Sequence, residues 1–165
     1  MAAGSTYTPI ATYTATGSQA TITFSSISGS YTDLVLIVNA TVTSSGYDLG
    51  IQLNGDSGSN YSQTILYGTG SAAGSARGAN QAKAYVTYYG GIGTVQGNQV
   101  IQLMNYSNST TYKTLITRAN RADSGTDAVV NLWRNTAAIT SIALNIGGTN
   151  FASGSTFTLY GIQAA

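Results

Sequence analysis

Three side chains that carry most enzyme chemistry are missing from this 165-residue chain: histidine, cysteine and glutamate. Without histidine or cysteine, a Ser-His-Asp or Cys-His arrangement cannot form, and neither can a zinc site with the usual ligands. Five aspartates are the only acidic side chains. We therefore predict that the protein is not an enzyme and needs no cofactor.

Charge is also scarce. Charged residues make up 7% of the chain, against about 25% in an average soluble domain. The net charge of +1 leaves no basic surface for phosphates, so we expect no nucleic-acid partner. A surface made of Thr, Ser, Asn, Gln, Gly and Tyr does not keep molecules apart by charge, and it suits a protein held among neighbours.

Long hydrophobic runs are absent as well. The N-terminus "MAAGSTYTPIATYT" has neither the basic start nor the apolar run of a signal peptide. No stretch reaches the roughly 18 consecutive apolar residues of a membrane helix. We expect a protein that is soluble in the cytoplasm of the cell that makes it, with no membrane partner.

What the sequence does have is a period of two. In "DLVLIVNATV", Leu34, Leu36 and Val38 fall on one face, and "ATITF", "DLGIQL" and "AVVNLW" alternate in the same way. Gly- and Ser-rich turns separate these runs, and 68–80 is interpreted as a long loop. The pattern predicts an all-β, antiparallel β-sandwich that is jelly-roll-like, with about ten strands. We expect one domain over 16–165, preceded by an arm or first strand over 1–15.

The segment "LNGDSGSNY" at 53–61 admits two interpretations. Asn54 and Gly55 both tolerate positive φ, and Asp56 can accept hydrogen bonds from the loop's own amides, so the segment is typical of a tight corner. The alternative is a calcium loop, for which Asp56 and Asn54 are weak candidate ligands. A single carboxylate predicts low calcium affinity at best.

Two further features have both a structural and a functional interpretation. Trp133 lies in an alternating apolar strand, which favours a core position over a ligand platform. "TRANRADSGTD" contains the only charge cluster, which we expect either to form ion pairs on a solvated loop or to contact another subunit or protein partner. Its members are Arg118, Arg121, Asp123 and Asp127.

Tyrosines are the evidence for a possible glycan site. "KAYVTYY" is predicted to put Lys83, Tyr85, Thr87 and Tyr89 on one strand face. The rings of Tyr85 and Tyr89 there would stack on a cell-surface sugar. The alternative is that tyrosine is simply common in strands and at protein interfaces.

Four segments resemble small structural proteins of tailed bacteriophages, especially those of cyanobacteria and marine bacteria. "IQLNGDSGSNYSQTILYG" (51–68) is similar to a recurring strand, N-G-D-x-G-x-N-Y turn and second strand. "ITFSSISGSYTDLVLIVNA" (22–40), "LWRNTAAITSIALNI" (132–146) and "FASGSTFTLYGIQA" (151–164) follow in the family's order. The resemblance implies a virion protein with a jelly-roll-like sandwich, and it supplies no catalytic residues.

Within that family such domains occur on capsids and at the ends of tail fibres. The first matched segment begins about 20 residues into the chain, with no repetitive shaft before it. This favours a capsid decoration or cement protein that stabilises the assembled head. We expect the major capsid protein as partner, a homotrimer, and a location on the capsid exterior. The alternative is a receptor-binding domain of a tail fibre that binds carbohydrate.

Overall fold

The computed structural model describes residues 6–44 and 48–163. In this part of the chain the regular structure is entirely β, with twelve antiparallel strands in two sheets that form a β-sandwich. The strands are β1 (Tyr7–Thr14), β2 (Thr21–Phe24), β3 (Asp33–Ala40), β4 (Leu49–Leu53), β5 (Tyr61–Gly68), β6 (Ala73–Gln81), β7 (Ala84–Tyr85), β8 (Gly97–Met104), β9 (Lys113–Arg121), β10 (Gly125–Trp133), β11 (Ile142–Ile146) and β12 (Thr156–Ile162).

The strand order contains a jelly roll. The small sheet is β2-β11-β4-β7, and half of the large sheet is β1-β12-β3-β8. Among these eight strands the chain crosses between the sheets as a double Greek key, which confirms the jelly-roll-like prediction. The hairpins β5–β6 and β9–β10 then extend the large sheet to eight strands, in the order β8-β9-β10-β5-β6.

The core lies between the two sheets. The apolar faces predicted from alternation are buried, as at Leu34, Leu36 and Val38 in β3 and at Leu49 and Ile51 in β4. The prediction of a core position for Trp133 is confirmed, because its side chain is 0% exposed.

The prediction of a loop over 68–80 is wrong, because Ala73–Gln81 is strand β6 at the edge of the large sheet. This strand pairs with β5 along its length, with a register shift opposite Tyr61 and Gln63. Small residues weaken the sequence signal of a strand, but the backbone still forms the ladder. Strand β1 lies at the opposite edge, where it pairs with β12.

The small sheet is too narrow to cover all of the large one. The inner face at β5, β10 and β9 is met by β7 and by the irregular segment after it, in which Val86, Thr87 and Ile92 are buried. Backbone without a strand partner needs hydrogen bonds from side chains. The inner face of the large sheet therefore turns polar beneath this segment, at Asp127 and Asn131.

Candidate functional site

The segment 54–60 is a corner that connects the small sheet to the large one. Asn54 and Gly55 have positive φ values of 53° and 70°, and Asp56 N–H donates to the Leu53 carbonyl at 2.9 Å. Asparagine and glycine suit these two positions because both adopt positive φ at low cost. The prediction of a tight corner is confirmed.

The two weak calcium candidates face different protein groups. Asn54 Oδ1 accepts hydrogen bonds from Thr140 N at 2.8 Å and Ser141 N at 3.1 Å, which fasten the corner to the segment before β11. Asp56 Oδ2 accepts from Trp133 Nε1 at 2.7 Å, and Oδ1 accepts from Gly58 N at 2.9 Å. Across 6–44 and 48–163, no three acidic, histidine or cysteine residues form a group that would hold a metal ion.

Asp56 makes part of the stability dependent on pH. Burial disfavours its ionised form, but hydrogen bonds from Trp133, Asn60 and Gly58 outweigh burial and lower the pKa of this carboxyl below its ordinary value. As the pH falls, the Asp56 carboxyl is therefore protonated in the unfolded chain before it is protonated in the folded protein. The stabilisation is complete above the ordinary aspartate pKa of about 3.9 and is lost as the pH falls through the folded value.

We expect Asp56→Asn to make unfolding less sensitive to acid. Urea unfolding of both proteins at a series of pH values between about 6 and about 2.5 measures the effect, since this range spans the ordinary pKa. The gap in stability between wild type and variant should be widest at the upper end and should narrow below about pH 4. A gap that stays constant with pH would contradict the assignment.

The charge cluster separates into parts with different environments. Arg121 Nε donates to Asp123 Oδ1 at 2.7 Å, and Arg121 Nη1 donates to the Gly91 carbonyl at 3.3 Å. Arg121 therefore supports the irregular segment after β7. Asp123 is exposed at the β9–β10 turn, and Arg118 is exposed on the outward side of β9. Of the two arginines, Arg118 is the one available to an outside partner.

The expectation that Asp127 lies on a solvated loop is wrong. Asp127 belongs to β10 and is 3% exposed. Its carboxylate accepts three backbone hydrogen bonds, from Tyr88 N at 2.6 Å, Tyr89 N at 3.0 Å and Gly90 N at 2.7 Å. Such bonds compensate for burying the charge, so Asp127 shapes the segment after β7 and does not face a partner.

The expectation of one tyrosine face over 83–89 is also wrong. The strand β7 ends at Tyr85, Thr87 is buried with its Oγ1 accepting from Leu49 N at 2.8 Å, and the next amides turn to Asp127. Tyr89 belongs instead to a cluster with Tyr67, at 4.6 Å between ring centroids, and with Tyr88 at 5.0 Å. Tyr85 lies apart, with Lys83 Nζ 5.1 Å from its ring centroid.

The outward side of the large sheet, here called the outer face, carries two rows of side chains in register across six strands. Most members are apolar and only Arg118 is charged. One row is Tyr160, Val35, Gln102, Ile116, Val130 and Thr64, and the other is Thr158, Ile37, Val100, Arg118, Ala128 and Leu66. Leu66 is 62% exposed and Val130 is 47% exposed, so the part of the outer face formed by β10 and β5 is open to solvent.

A second surface feature is a groove of about 340 Å³ on the side of the sandwich, here called the side groove. It lies where β6 and β7, the edge strands of the two sheets, come near each other. Its lining is mostly polar and aromatic: Asp48, Gln63, Arg77, Gly78, Gln81, Tyr85, Thr87 and Tyr88. Of the glycan candidates from the sequence, Tyr85 is in the groove and Tyr89 is beside it.

Residues 6–44 and 48–163 contain no helix that is long and apolar enough to span a membrane. The chain matches no protein-family model. Comparison with curated proteins and with solved structures also finds no significant match. No family is therefore assigned, and the functional argument rests on the residues of this chain.

Proposed function

We propose that this chain is a non-enzymatic structural protein of a bacteriophage particle, which attaches to the assembled head as a decoration or cement protein. The observation that carries the proposal is the outer face, because the apolar side chains that β10 and β5 place on this side of the large sheet are left uncovered. The four segments that resemble phage structural proteins supply the biological context. The occupant of the face is a surface of the major capsid protein.

The size of the outer face fits a protein partner. Eight strands at about 4.8 Å spacing, each about seven residues long at about 3.3 Å per residue, give roughly 900 Å². A standard protein–protein interface buries about 800 Å² on each partner. Exposed apolar patches of several hundred Å² on a soluble protein mark interaction sites.

The charge of the outer face argues against other kinds of partner. On the strands of this sheet the charged side chains that point outward are Asp33, Arg77 and Arg118. This is too little positive charge for nucleic acid or an anionic membrane. Because few contacts would be ionic, attachment should weaken little when the salt concentration rises about tenfold.

Attachment stabilises a shell by mass action, since a protein that binds only the assembled lattice favours that state at every site. The sheet edges β1 and β6 favour self-association, because an edge strand presents backbone groups that another chain can pair or cover. We propose a homotrimer, since closed cyclic symmetry covers such surfaces. Sedimentation equilibrium of the purified chain tests it, and a monomer at all concentrations would contradict it.

Placing a charge on the outer face should weaken attachment to heads. Leu66→Glu and Val130→Glu each put a carboxylate where the proposal places a desolvated contact, so binding to purified heads should fall at least about tenfold. The measurement is co-sedimentation with heads that lack the protein. Both residues are exposed, so the free energy of unfolding should change little.

Thr23→Glu is the matched control, because Thr23 is an exposed strand residue on the small sheet. It should bind heads as wild type does. Equal binding by all three variants would contradict the outer face as the attachment surface. Equal loss in all three would point to non-specific charge repulsion from the head.

A further inference from the structure

We propose that the side groove binds a neutral oligosaccharide, with Tyr85 and Tyr88 as the aromatic surfaces and Asp48 and Gln81 as the groups that bind sugar hydroxyls. The groove lies at the β6 edge of the large sheet and shares Arg77 with the outer face, but its other lining residues lie outside that face, so the inference goes beyond attachment to a head.

The composition of the side groove fits a sugar. Tyrosine offers a ring for stacking against the apolar side of a pyranose and a hydroxyl for hydrogen bonding. Carboxylate and amide groups accept or donate hydrogen bonds to the sugar hydroxyls. The volume of about 340 Å³ is within the range of small-molecule sites. One acidic and one basic residue line the groove, Asp48 and Arg77, so neither sign of ligand charge is favoured.

The aromatic wall is held in place by buried side chains. Asn131 Nδ2 donates to the Tyr85 carbonyl at 3.0 Å, and Asp127 accepts the Tyr88 N–H at 2.6 Å. The Tyr88 ring also packs on Tyr67, with 5.4 Å between centroids. Rings whose backbone and neighbours are fixed lose little freedom on binding, and this favours affinity.

The floor of the side groove has a hydrogen-bond acceptor that lacks a donor. Gln63 packs over Gly78, where an added Cβ would lie 3.3 Å from the Gln63 amide nitrogen. Gln63 Oε1 is buried and has no hydrogen-bond partner within the described residues. Buried polar atoms usually have a partner. A sugar hydroxyl brought to the floor would supply one after a small rotation of the amide.

Asp48 at the rim gives the site a pH dependence. Although the residue as a whole is exposed, withdrawal of its carboxyl from water, followed by the negative charge of Asp127, raises its pKa to about 6, and Lys83 opposes this. Protonation removes an acceptor for sugar hydroxyls, so affinity should fall in mild acid. The other charged or titratable groups around it are Arg77, Lys83, Tyr85, Tyr88 and Asp127.

The test begins with an array of bacterial surface polysaccharides and host glycans, probed with the full chain. Calorimetry of the best-bound neutral oligosaccharide then follows with variants. We expect Tyr85→Ala and Gln81→Ala each to weaken binding about tenfold, because each removes a major contact. The control variants are Tyr112→Ala, since Tyr112 is 55% exposed outside the groove, and Asp123→Asn. They should bind within about twofold of wild type.

The pH dependence of binding tests the role of one residue, Asp48. Wild-type affinity should fall about fivefold or more between about pH 7.5 and about pH 5, and Asp48→Asn should remove this dependence. Melting temperatures check that each variant is folded. If Tyr85→Ala does not fold, the binding of Gln81→Ala decides the outcome. No binding to any neutral glycan, or binding that the groove variants leave unchanged, would overturn the proposal. Binding of acidic glycans alone would overturn it too.

Discussion

Asp127→Ala should lower the free energy of unfolding by about 3–5 kcal/mol, because it leaves three backbone N–H groups beside β10 without their acceptor. Each orphaned donor costs about 1–3 kcal/mol, and water that enters the space recovers part of this. Urea unfolding followed by tryptophan fluorescence is a suitable measurement, since Trp133 is the only tryptophan.

Asp127→Asn is the matched variant for this prediction. It keeps the shape and one acceptor oxygen but loses the charge and the second oxygen, so its cost should be intermediate. Asp123→Asn, at the exposed end of the same hairpin, should cost well under 1 kcal/mol. An Asp127→Ala variant as stable as the wild type would contradict the role of this carboxylate.

Trp133→Ala should also cost about 3–5 kcal/mol, through the cavity left in the core. Trp133 is fully buried, stacks on Tyr61 with 6.3 Å between ring centroids, and donates Nε1–H to Asp56. The indole therefore connects the core to the corner at 54–60. Because the variant lacks the only tryptophan, circular dichroism replaces fluorescence in its unfolding measurement.

Trp133→Phe separates the two contributions of the indole. It keeps most of the apolar volume but leaves Asp56 Oδ2 without this donor, so we expect a loss of about 1–3 kcal/mol. Tyr112→Ala, at an exposed tyrosine, should change stability by no more than about 0.5 kcal/mol. An unchanged melting temperature in Trp133→Ala would contradict its place in the core.

Local pattern was sufficient to predict some parts of this fold. Alternation in β3 places Leu34, Leu36 and Val38 on one buried face, since the period of two in a strand is set by the backbone itself. The corner at Asn54-Gly55 is predictable for a similar reason, because the conformational preferences of these two residues require no distant partner. Strand β6 was missed, since small residues in an edge strand give little signal of their own.

The role of Asp127 depends on a distant segment. Its sequence context does contain one usable signal, because a period of two in β10 puts Asp127 and Asn131 on the same face as Trp133. That signal shows that both polar side chains face inward. It does not show which backbone they meet, because the segment at 85–90 lies about 40 residues earlier in the chain. The side groove was hidden for the same reason, since Asp48 and Gln63 join the residues of 77–88 only in the folded sandwich.

The two hairpin extensions connect the fold with the proposed function. Strands β5, β6, β9 and β10 widen one sheet of a jelly roll, and they contribute two strongly exposed apolar residues of the outer face, Leu66 and Val130. An ordinary eight-stranded jelly roll has two sheets of similar width. The extension thus creates both surfaces discussed above: the outer face, and the side groove beneath its last strand.

The copy number of this chain in purified particles, relative to the major capsid protein, tests the central claim most directly. Quantitative mass spectrometry with isotope-labelled peptides provides this ratio. A decoration or cement protein predicts hundreds of copies per particle, in a simple ratio to the capsid lattice. A handful of copies would place the chain at the tail, and its absence from the particle would contradict a structural role in the virion.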